Sequence, residues 1–133
     1  MHALPKSSYP VVQPANLTRY NGLLFSIPTH YSNFPAQWRA FWDNTGGIWA
    51  TGGYWGMYTT LFVSTGTLGG GQESTALTAM STLAHHSLIY VRLGYKTTFG
   101  QLSNLSEIHS GSAWDAGTFA VSFCDFKFLW GKE

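Results

Sequence analysis

Cysteine is nearly missing from this sequence. The single one, Cys124, excludes an internal disulfide framework and any multi-cysteine metal centre. Charge is scarce as well: Asp, Glu, Lys and Arg make up 10% of the chain, against about a quarter in ordinary domains. The basic residues stand singly (Lys6, Arg19, Arg39, Arg92, Lys96, Lys127, Lys132), and the net charge is +1. That leaves no basic patch for nucleic acid and no polybasic run for an anionic membrane. No apolar run is long enough to span a bilayer, and residues 1–6 carry no apolar signal core. The absences point to a soluble, cytoplasmic chain without nucleic acid partner or membrane insertion. The Asn-x-Ser/Thr triplets at Asn16 and Asn104 then read as chance matches. No Gly-x-Ser-x-Gly elbow and no closely spaced carboxylate pair is present, so hydrolase and glycosidase chemistry find no support.

Aromatic residues and glycine are abundant instead. Aromatics reach 17%, with six Trp, seven Tyr and nine Phe. Such a surplus serves either a large aromatic core or a surface held against a ligand or second subunit. Residues 1–14, with Pro5, Pro10 and Pro14, read as an extended lead-in, and residues 14–20 as a short helical turn. Apolar runs at 22–28, 58–63 and 88–93 read as buried strands. Between them lie two helical patterns. In the first, Pro35 suits an opening position, Trp38, Phe41 and Trp42 form one face, and Gly46-Gly47 ends the helix. A glycine and aromatic loop over 46–56 follows. The second helix spans 73–86, with Ala76, Leu77, Met80, Leu83 and Ala84 on one side. Strand and helix alternating in this way predict an α/β fold with a parallel sheet, right-handed crossovers and ligands beyond the carboxyl ends of the strands. Phe99, Leu102 and Leu105 fit one more helical turn. Residues 109–117 read as loop, and 119–130 as an apolar segment with no partner pattern.

Ser-Thr-Gly-Thr-Leu-Gly-Gly-Gly-Gln-Glu at 64–73 is the most informative stretch. It leaves a strand and enters a helix. Its small residues let a ligand approach the backbone and leave N–H groups free to donate. No Gly-Lys-Ser/Thr follows, and the glycine spacing is not that of the dinucleotide fingerprint. Its other reading is a flexible strand-to-helix connection. His85 and His86 close the second helix; neighbouring helical positions diverge by about 100°, so the two do not share a metal. They serve either catalysis or charge placement at a helix C-terminus. Trp49 either stacks on a planar ligand or caps a core edge. His30 and Tyr31, after the first strand, either border a flat ring or form an ordinary turn.

In order, the sequence carries Ile-Pro-Thr-His-Tyr-Ser-Asn at 27–33, the stretch 37–47 with Trp49, the glycine loop, Leu-Ala-His-His at 83–86 and Leu-Gly-Tyr at 93–95. Together, over residues 1–118, these resemble the type IV NAD(P)H:quinone oxidoreductases, the tryptophan-repressor-binding-protein family, and within it the fungal flavodoxin-like branch that includes minor allergens. The resemblance implies a flavodoxin-like open parallel sheet of three layers, FMN as cofactor, NAD(P)H as co-substrate, a quinone as acceptor of two electrons, and a homo-oligomer, a tetramer in the family. It implies flavin contacts from Thr29, His30 and Tyr31, from Ser64, Thr65, Gly66, Thr67, Leu68 and Gly69, and from His85, which also takes the catalytic role. Trp49 matches a tryptophan on the substrate side, often supplied by a neighbouring subunit.

The sequence also departs from the family pattern. The opening strand, hydroxyl-rich phosphate loop, helix and second strand have no counterpart here, nor does the terminal helix. The division expected is a partial flavodoxin-like domain over 1–118 and an atypical tail over 119–133. Loss of the first strand predicts an exposed apolar sheet edge beside residues 22–28. His30 replaces an arginine, Ser32 a glycine, and 109–117 reads His-Ser-Gly-Ser-Ala-Trp-Asp-Ala-Gly in place of the family's His-Gly-Gly-Ser-Pro-Trp-Gly-Ala-Gly. The rival expectation is a non-catalytic remnant that binds full-length relatives.

Overall fold

Leu23, Leu24, Phe25 and Ile27 favour an extended chain, and strand β1 spans Gly22–Pro28. The structure, a computed structural model, describes residues 9–120. Strand β2 (Tyr58–Thr65) runs parallel to β1 in unbroken register, from Gly22 opposite Tyr58 to Pro28 opposite Ser64. Strand β3 (Ile89–Tyr90) pairs with the beginning of β2 and strand β4 (Ala116–Phe119) with its end, both parallel. β3 and β4 therefore form one strand line beside β2, interrupted by residues 91–115. The parallel sheet read from the apolar runs is present. Its third strand is shorter than the expected 88–93. Val91 N still donates to Thr59 O at 2.7 Å, and then Gly94, at φ +68°, turns the chain into the insertion. The stretch 109–117, expected as loop, includes the first residues of β4. That strand runs through the expected division at 118/119, and residues 121–133 of the anticipated tail lie outside the described residues.

The helices are α1 (Pro14–Leu17), α2 (Ala36–Asp43), α3 (Gly46–Ala50), α4 (Gln72–His85) and α5 (Phe99–Leu102). Gly46 and Gly47 do not end α2, as expected, but open α3. Asn44 Nδ2 donates to Ala40 O at 2.7 Å, and Thr45 Oγ1 donates to Trp42 O at 2.6 Å. These side chains compete for the last carbonyls of α2 and stop it before the glycines. The Thr45 carbonyl then accepts from Ile48 N and Trp49 N, which restarts the helix.

Strand alternation sends Leu23, Phe25 and Ile27 of β1 and Thr59, Leu61 and Val63 of β2 to one face. α2 and α4 pack there, and Trp42 is the hub. Its ring lies 5.5 Å from Phe25, 5.4 Å from Trp38, 5.5 Å from Phe41 and 4.8 Å from His86. Ala76, Ala79 and Leu83 of α4 complete the core. Much of the aromatic surplus is thus core. The opposite face carries Leu24, Tyr58 and Ile89, exposed by 51%, 57% and 46%, and is where the remaining layer of a three-layer fold would sit. β2 is the only strand paired with β1 among the described residues. Along the free edge runs an apolar groove of about 510 Å3, lined by Val12, Leu17, Leu23, Phe25, Trp38 and Phe41.

Candidate functional site

Because β1 and β2 are parallel and end together, their following loops leave the sheet side by side. Thr29 N donates to Ser64 O at 2.8 Å, which extends the ladder into the loops. Residues 30–33 make a tight turn. His30 and Asn33 exchange backbone hydrogen bonds at 2.8 and 2.9 Å, and Tyr31 and Ser32 take left-handed φ of 51° and 60°. The turn pushes Tyr31 entirely into solvent, with the His30 ring edge-on at 6.1 Å.

The glycine loop is shaped by Thr65, which is buried and donates Oγ1 to Thr67 O at 2.7 Å. Gly70 packs against Thr65. Gly71 (φ +80°) packs against Ser32, so a Cβ at either glycine would collide. Gly66 and Gly69 face open space. The two loops therefore touch at Ser32 and Gly71, with Gly66 and Gly69 open on the second loop and Tyr31 exposed on the first. Thr75, on the first turn of α4, locks both. It is fully buried, and its hydroxyl lies 3.3 Å from Thr29 Oγ1, 3.4 Å from Asn33 O and 3.1 Å from Gly71 O. Sequence reading missed Thr75. The signal was a hydroxyl on the otherwise apolar inner face of α4.

This arrangement suits a flat, neutral ring, which needs a small-residue floor and an aromatic wall. Neither loop contains Lys or Arg, so a phosphate finds no cation on them. Among the described residues no cluster of His, Cys, Asp and Glu could hold a metal ion. Nor is any helix there long and apolar enough to cross a membrane.

The structure brings Thr29, His30 and Tyr31 together with Ser64, Thr65, Gly66, Thr67, Leu68 and Gly69. It does not bring His85 or Trp49 to them. α4 leaves the glycine loop and runs back along the sheet for 14 residues, about 20 Å. His85 therefore stands at the opposite end, by the start of β3. Trp49 stands with it: its indole Nε1 donates to His85 O at 2.8 Å, and its ring remains 57% exposed. The geometric reason is simple: a crossover helix antiparallel to its strands carries its two ends to opposite edges of the sheet. His86, rather than His85, enters the core. Its Nδ1 lies 2.9 Å from Thr82 O and its Nε2 lies 2.6 Å from Thr45 Oγ1.

No protein-family model matches the chain. It is 61% identical over 123 residues to minor allergen Alt a 7 of Alternaria alternata, a match covering 91% of this chain and 60% of that protein. It is 52% identical over 118 residues to an NAD(P)H quinone oxidoreductase of Candida albicans, covering 89% of this chain and 58% of that protein. The chain thus spans roughly three-fifths of the length of the curated relatives it matches. A flavodoxin, WrbA-like protein from Agrobacterium tumefaciens superimposes with a TM-score of 0.56 at 22% identity, over 61% of this chain and 52% of that one. That likeness establishes the fold: a flavodoxin-like open parallel α/β sheet.

Proposed function

We propose that this chain, a homologue of flavodoxin-like NAD(P)H quinone oxidoreductases over most of its length, holds FMN at the carboxyl ends of β1 and β2 and reduces quinones at the expense of NAD(P)H. The observation that carries the reading is the contact between the 29–33 turn and the 64–71 loop at Ser32 and Gly71, with Gly66, Gly69 and Tyr31 left open on those loops. When bound, the flavin supplies the redox chemistry, accepting a hydride equivalent and passing on two electrons. The residues present would position it. Gly66 and Gly69 admit the ring edge close to the backbone, Tyr31 and His30 cover it, and Thr65 and Thr75 keep the two loops at fixed spacing.

His85 and Trp49 lie about 20 Å from those loops along α4, so within one copy they cannot touch the ring. The reading therefore includes a homo-oligomer in which one copy's Trp49 and His85 approach the loops of another. Trp49 is suited to this. Its indole N–H is fixed on His85 O, which holds the exposed face of the ring ready to line a quinone slot. NAD(P)H oxidation by the FMN-supplemented protein with benzoquinone tests the reading. One hydroquinone per NAD(P)H is expected. Flavin-loaded protein that oxidises no NAD(P)H would reject it.

A further inference from the structure

Asp115 stands immediately before β4. It is fully buried, and its Oδ2 has no hydrogen-bond partner. Its other carboxylate oxygen accepts from Ser112 Oγ at 2.5 Å, and its main-chain carbonyl accepts from Ser112 N at 3.0 Å. Trp114 N donates to Ser112 Oγ at 3.1 Å. The Trp114 carbonyl takes the Tyr90 hydroxyl, and the Ala113 carbonyl takes Gly94 N at 2.9 Å. One turn, residues 110–116, thus fastens the insertion of residues 91–115 to β3 and β4, with a buried carboxyl at its hub. At its start, Ser110 is buried and accepts from Gln72 Nε2 at 3.3 Å, where the glycine loop becomes α4.

Among the described residues Asp115 has no counterion. Glu73 on α4 and the Tyr90 phenol on β3 are the titratable groups that act on it or feel it, and both are acidic. His109, in the same segment, directs Nε2 to Asn104 O. Among the described residues no basic side chain pairs with Asp115.

We propose that Asp115 is a proton-operated latch: as the neutral acid it holds residues 110–116 on the sheet edge, and as the carboxylate it releases them. The ionised group buries a charge with no cation and an oxygen with no donor, and both costs vanish when the turn opens to water. Burial, with a contribution from Glu73 and against the Ser112 hydrogen bond, moves the carboxyl up to about 6, so release falls near neutral pH. Opening also frees Gln72 at the exit of the glycine loop.

Amide hydrogen exchange of the full chain at pH 5 and pH 7.5, corrected for intrinsic rates, tests it. Amides of the 110–117 segment should open up to about tenfold more at pH 7.5, while β1 and the first half of β2 hold. Asp115→Asn should erase the difference, and Glu73→Gln, an exposed change, should move the midpoint to lower pH. Equal opening at both pH values, a pH dependence that survives Asp115→Asn, an unmoved midpoint in Glu73→Gln, or the same increase across the whole sheet would each overturn the latch.

Discussion

Single residues set the shape of the proposed site. Gly71 adopts φ +80° with Ser32 packed where a Cβ would go. Gly71→Ala should therefore destabilise the chain by roughly 1–3 kcal/mol, through backbone strain and collision. Adding Ser32→Gly should recover the collision part in urea melts, and a double variant no better than the single would show that the contact is unimportant. Asp115 makes a second prediction, with a definite sign. Its carboxyl lies well above its ordinary value in the fold, so its neutral form is favoured there. The closed form of the 110–116 turn is fully favoured below about pH 4 and loses that advantage as pH rises through about 6, by roughly 3 kcal/mol at most. Asp115→Asn should slow amide exchange of residues 110–117 at pH 7.5 and leave it nearly unchanged at pH 4. Residue types marked out the glycine loop, because so long a run of small residues between a strand and a helix exceeds what a plain connection needs. They did not reveal Asp115 or Thr75. Nothing in a sequence marks which polar side chain will lose its water.

Elements were legible where apolar residues ran together. β1, β2 and α4 follow from their patterns because each buries a continuous face. α3 escaped because its opening glycines are poor helix formers, and only the Thr45 carbonyl and packing of Ile48 make it pay. The split of one strand line into β3 and β4 escaped because the intervening insertion has little periodicity, and the small residues of β4 rely on pairing with β2. The aromatic hub explains why α2 holds. Trp42→Ala should cost roughly 3–5 kcal/mol by denaturant unfolding, and a loss under 1 kcal/mol would mean that the hub is loose. β1 has the opposite character. Among the described residues its outer edge is unpaired, and it carries no charge and no bulge, features that ordinarily guard an exposed strand. Leu24→Lys, at a half-exposed position, should widen the concentration range in which the chain stays unaggregated by light scattering and change stability little. Unchanged aggregation would place the sticky surface elsewhere.

At the scale of the whole molecule, the sheet puts the two groups of residues in the proposed site at its opposite ends. The loops lie at the carboxyl ends of the strands, and Trp49 with His85 lies at the other end. The sequence placed all of them in order along the chain but could not show this separation, because it depends on α4 running back along β2. Two defective chains should then complement each other. A Gly69→Asp variant, defective in the loop, mixed with Trp49→Ala should regain part of the quinone reductase activity that neither shows alone. No gain on mixing would contradict a shared site. The most direct measurement is an FMN titration followed by backbone amide resonances. The account predicts saturable shifts that involve Thr29, His30, Tyr31 and residues 64–71 together with one affinity. Shifts in only one of those loops, or none at saturating FMN, would contradict it.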